Sequence, residues 1–190
     1  MDTNDLAQRY NQEVADFFGT KPLKDIDVVL FDSQKDIITF YDKNRNDDIP
    51  APDYLVGFSP QNHIYIIGPN GMPPQKDPGH IRFQKVLKHE LVHKYLRPVS
   101  NKHTPGWLIE GVCGYVAGQS STWTQEDINI QLLNKLSYTQ NGDKYQVGIT
   151  MVNLIMSEFG KEKLFNLASL EKNDERNIEL VKMFPWLNKE

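Results

Sequence analysis

One run, His89-Glu90-Leu91-Val92-His93, constrains this chain more than any other. Two histidines four residues apart share one face of a helix, so both imidazoles can reach a single metal ion, and the carboxylate beside the first sits next to that ion. The spacing is that of the hydrolytic-zinc pattern H-E-x-x-H. The competing reading is a solvated helix face that happens to carry two histidines. The surroundings weigh against it, because Phe83 to Leu96 reads as one amphipathic helix with Ile81, Val86, Leu87, Leu91 and Leu96 as its apolar anchors.

A catalytic zinc takes three protein ligands and leaves its fourth position to water, so a further donor has to come from another element. Thr104-Pro105-Gly106-Trp107-Leu108-Ile109-Glu110-Gly111 supplies a candidate. Pro105 precedes the apolar positions Trp107, Leu108, Val112, Tyr115 and Val116, which predict a short buried helix whose one charged residue is Glu110. A buried carboxylate needs a cation, since leaving it alone would cost several kcal/mol or force it to take up a proton. Zinc would serve, and so would a lysine or arginine; both partners stay open at this point. Cys113 is the single cysteine, so it makes no intramolecular disulfide and no Cys-rich zinc site. The expected zinc donors are therefore histidine and carboxylate, with Cys113 a small core residue.

H-E-L-V-H followed by P-G-W-L-I-E-G resembles the gluzincin metallopeptidases, in particular the small peptidase MA-like domains whose third ligand lies in a W-L-x-E-G segment. The resemblance covers about residues 26 to 170, and only the two motifs are specific. It implies that His89, His93 and Glu110 hold Zn2+ and that Glu90 is the general base. The sixteen residues between His93 and Glu110 make a tighter connection than the best-known gluzincins have, and Gly114 stands where thermolysin-like enzymes carry an aspartate. The resemblance further implies a substrate platform on one of two short strands, with Phe58, His63, Ile64 and Tyr65 as its residues, and an oxyanion donor at Tyr145. His63 is expected at a strand end rather than on the metal. Related aminopeptidases anchor the substrate amine with acidic residues in a G-x-M-E-N strand. Here Val56 through Tyr65 holds no carboxylate, so an endopeptidase is expected, with an extended peptide or protein chain as its substrate.

The implied fold is α+β and zincin-like, with a short N-terminal sheet, an edge strand over the H-E-x-x-H helix and an all-helical C-terminal half. At 190 residues and 39% hydrophobic, one domain is expected, with an α/β lobe over about 1–100 and a helical lobe over about 101–190. Asn4 to Phe18 predicts a packing helix stopped at Gly19 and capped by Thr3 or Asn4; Ile26 to Phe31 predicts a strand; Ser33 to Tyr41 predicts a helix with a Ser33/Asp36 cap. Asp42 to Asp53 reads as loop. Leu55 to Phe58 and His63 to Ile67 flank Ser59-Pro60-Gln61-Asn62 and predict a hairpin, while the Pro/Gly-rich stretch from Pro69 to Pro78 is a loop that could cover a cleft. Thr124 to Leu136, Tyr145 to Phe159, Lys161 to Leu170 and Asn173 to Phe184 predict helices.

A net charge of −4 and no basic run argue against nucleic acid or an anionic membrane surface as the main partner. No stretch is long and apolar enough to span a bilayer, and the first residues, acidic and polar, do not read as a signal peptide. The compartment stays open, extracytoplasmic if a signal was removed. Two alternatives to a peptidase share the same metal ligands: a zinc-binding interaction module without turnover, and a metal-dependent hydrolase of non-peptide amides. The intact Glu90 argues against the first.

Overall fold

The structure, a computed structural model, describes residues 2–44, 50–137 and 142–189. It is α+β: a three-stranded sheet and eight α-helices among the described residues. The chain divides into two compact units, Met1–Lys94 and Tyr95–Glu190.

In the first unit, α1 (Thr3–Phe18) buries Leu6, Tyr10 and Val14 and stops at Gly19, whose left-handed φ of 66° a residue with a Cβ rarely adopts. Its cap is Asp2, which accepts from the Asn4 backbone N–H, rather than Thr3 or Asn4. β1 (Asp27–Phe31) leads through the Ser33/Asp36 cap into α2 (Gln34–Asn44). The predicted hairpin forms as β2 (Gly57–Phe58) and β3 (His63–Ile67), paired antiparallel. Part of the expected 42–53 loop, residues 45–49, lies outside the described residues.

Strand order is β1-β3-β2, with β1 parallel to β3 along its whole length. β3 is thus central. Ile64 and Ile66 point into the core, and His63 and Tyr65 face the other way, as the two-residue period of a strand requires. On that second face Phe58 stacks on Tyr65 at 4.9 Å and Tyr41 meets Phe58 edge-on at 4.9 Å, forming an aromatic layer that includes Phe31 and Phe40.

α3 (Gly79–Leu96) begins four residues before the predicted start, because the Pro78 carbonyl accepts from Arg82 N–H and extends the first turn. Ile81, expected as an anchor, is exposed; Val86, Leu87, Leu91 and Leu96 are buried. The loop before α3 is pinned to that helix. Met72 is buried, Arg82 Nη1 donates to the Pro73 carbonyl, and Lys85 Nζ lies 2.7 Å from Asp77 Oδ2. A Cβ on Gly71 would strike the Asp32 carbonyl.

The second unit contains helices and no strand among the described residues. α4 (Gly106–Val116) follows Pro105 as predicted. The single helix predicted over 124–136 is instead a 3-10 turn, Gln125–Asp127, and α5 (Ile130–Leu136). After them come α6 (Asp143–Glu158), α7 (Gly160–Ser169), α8 (Asn173–Met183) and a final 3-10 turn, Pro185–Asn188. α4 lies directly against α6, because Gly111 and Gly148 face each other without side chains. A Cβ on Gly111 would collide with the Gly148 carbonyl, and one on Gly148 with the Trp107 carbonyl. The glycine of the W-L-I-E-G segment is therefore a helix-packing residue. No described helix is long and apolar enough to cross a membrane.

Candidate metal centre

α3 brings the first three site residues together. The His89 and His93 ring centroids are 4.9 Å apart, as the four-residue spacing requires. His89 is only 5% exposed and Glu90 only 7%, so neither belongs to a solvated face. Leu87, Leu91 and Val92 are wholly buried around them and hold the helix in register.

Glu90 reaches the sheet at its edge. A Cβ built on Gly57 would lie 3.4 Å from both Cγ and Oε1 of Glu90 and 3.0 Å from Val86 Cγ1. Only glycine lets β2 approach the carboxylate this closely without displacing Val86. At Gly57 the edge strand β2 thus approaches Val86 and Glu90 of α3.

The four residues assigned to a substrate platform divide accordingly. Phe58 is on β2, the edge strand. His63, Ile64 and Tyr65 are on β3, whose backbone is shared with β1 and β2, and Ile64 is fully buried. His63 stacks on Tyr65, and its Nδ1 lies 3.0 Å from Asp27 Oδ2. Lys94, one residue beyond His93, is buried, and its Nζ donates to the carbonyls of Gln61 and His63 at 2.5 and 2.9 Å. The hairpin turn is thereby tied to the helix that carries the two histidines.

In the second unit, Glu110 sits on α4 with its side chain 13% exposed, and Lys144 Nζ on α6 is 3.7 Å from its Oε1. Tyr145 lies in the first turn of α6 next to Lys144, whose ammonium lies 5.3 Å from the Tyr145 ring centroid. The lysine partner left open for Glu110 is therefore present.

Among the described residues, one group of side chains can hold a metal ion: His89, His93 and Cys113, whose ligand atoms all lie within 4.8 Å of one another. Cys113 was expected only as a core residue, and Glu110 is outside this set. A signal for Cys113 was available: it follows Glu110 by three residues, which puts both on neighbouring positions of one helical face. The donor types, two imidazoles with a thiolate or carboxylate, suit zinc.

Comparison with known protein families, with characterised proteins and with solved structures finds no match. The function has to be argued from the site itself.

Proposed function

We propose that the chain is a zinc-dependent peptidase of gluzincin type on a zincin-like fold, cleaving within extended peptide or protein substrates. The observation that carries this reading is the α3 constellation: two histidine rings 4.9 Å apart beside a buried Glu90 that reaches edge strand β2. A buried carboxylate beside two histidines suits general-base catalysis on an attacking water.

His89 and His93 would hold the ion, with Glu110 as third ligand by its place in the W-L-I-E-G segment. Zinc, when bound, supplies Lewis-acid activation of water and of a substrate carbonyl. Glu90 takes the proton of the attacking water on a carboxylate oxygen and returns it to the leaving amine. Tyr145 donates its hydroxyl hydrogen to the developing oxyanion. An extended substrate pairs with the open edge of β2, where Gly57 gives its backbone access to Glu90. The absence of any carboxylate from Val56 to Tyr65 leaves no acidic anchor there for a free amino terminus, which favours internal cleavage.

A second reading rests on Cys113. If His89, His93 and Cys113 hold the ion, the site is a His2Cys centre, and the chain is a zinc-binding module or a hydrolase with a thiolate ligand. Zinc content of Glu110→Gln and Cys113→Ser separates the two. The peptidase reading expects about one zinc per chain in Cys113→Ser and a large loss in Glu110→Gln, His89→Ala and His93→Ala. Full zinc in Glu110→Gln with loss in Cys113→Ser would establish the second reading instead.

A further inference from the structure

Glu110 and Lys144 form an ion pair with both partners nearly out of water: Nζ lies 3.7 Å from Oε1, and the side chains are 12% and 13% exposed for Lys144 and Glu110. The separation is beyond a hydrogen bond, so the contact is one of charge. Rigid packing fixes it. Lys144 is one turn before Gly148, Glu110 is next to Gly111, and those two glycines meet without side chains. The lysine stem also runs past the start of α4, where a Cβ on Gly106 would be 3.8 Å from Lys144 Cδ. The α4–α6 packing therefore keeps the Lys144 and Glu110 backbones close together.

An ammonium held against a metal-ligating carboxylate opposes metal binding. It competes with the metal for the carboxylate charge, and that charge is already compensated when the metal arrives. We propose that Lys144 is a competing cation that lowers the affinity of the site for zinc by acting through Glu110. This rests on the reading of Glu110 as a zinc ligand. The sign is the reverse of the usual supporting residue beside a ligand, whose loss weakens metal binding. Lys144 makes the site one that fills only at higher free zinc and leaves a folded protein when zinc is absent.

The test is zinc affinity, measured by competition with a chromophoric chelator, for wild type, Lys144→Met, Lys144→Arg, Glu110→Gln and the double variant Glu110→Gln/Lys144→Met. Lys144→Met should bind zinc about tenfold tighter or more, the scale at which residues next to ligands act. Lys144→Arg should stay near wild type. In the Glu110→Gln background the gain should shrink below about threefold, because the cycle removes what acts through the carboxylate. Metal-free Lys144→Met should melt lower than wild type, and saturating zinc should raise its melting temperature by more than it raises wild type's. If Lys144→Met does not fold, Lys144→Gln takes its place in every comparison. Unchanged or weaker zinc binding in the lysine variant overturns the proposal, as does an equal gain in both backgrounds. Glu110→Gln that binds zinc as tightly as wild type removes instead the ligand reading on which the proposal depends.

Discussion

Helices α3 and α4 carry the two sequence motifs; both bury apolar side chains, and beyond these they are held in place by opposite means. α3 is anchored by long side chains that reach outward: Arg82 to the Pro73 carbonyl, Lys85 to Asp77, Lys88 to Glu13, and Lys94 to the carbonyls of Gln61 and His63. α4 is anchored by the lack of side chains, with Gly111 against Gly148 and Gly114 against Ile149. Flexible tethers absorb small errors, whereas two backbones in contact do not. A helix fixed by redundant tethers should survive single losses, and a helix fixed by backbone contact should not survive one methyl group.

The largest expected effect follows from this contrast. Gly148→Ala forces a methyl group into the Trp107 carbonyl and the Gly111 backbone, and should destabilise the protein by about 3 kcal/mol or more in urea unfolding. A loss below about 1 kcal/mol would mean that the helices can separate without cost and that the contrast is false.

Lys94→Met comes next. It leaves two carbonyls at the hairpin turn without their ammonium donor and should cost about 2 kcal/mol, with zinc binding retained because the histidine face is untouched. Loss of zinc in a folded Lys94→Met protein would show that the tether also places the histidines.

The smallest effect is expected for Lys88→Met. Its partner Glu13 is well exposed, and such ion pairs are worth little, so the change should be under about 0.5 kcal/mol. A fall comparable to that of Gly148→Ala would remove the distinction between tether and contact.

How far the sequence could be read depended on whether the deciding interaction was local. The stop of α1 at Gly19, the hairpin around Ser59 to Asn62 and the start of α4 at Pro105 depend on residues next to one another, and each forms. The histidine pair was legible for the same reason, since a four-residue spacing already fixes two rings on one face. The break in the 124–136 segment was local too, yet hidden by competing caps. Asp127 accepts from the backbone and hydroxyl of Thr124, Ile128 turns extended, and Asn129 caps a fresh helix at Leu132. The parallel pairing of β1 with β3, which makes β3 central, depends on residues more than thirty positions apart, and periodicity carries no signal for it. Neither does it for Lys144, on a different helix from Glu110. Cys113 is ambiguous in the sequence, because an apolar neighbourhood suits a core cysteine as well as a ligand.

The central claim is that Glu90 works as a base on water beside an ion held by its neighbours. The most direct test is Glu90→Gln, with zinc content measured on the purified protein and hydrolysis measured on an unstructured protein with a blocked N-terminus, read by mass spectrometry with and without chelator. The account predicts about one zinc per chain in both proteins, internal fragments from wild type that chelator abolishes, and no fragments from Glu90→Gln. Wild-type turnover by Glu90→Gln, or wild-type protein that holds zinc and cleaves nothing across a panel of protein substrates, would contradict it.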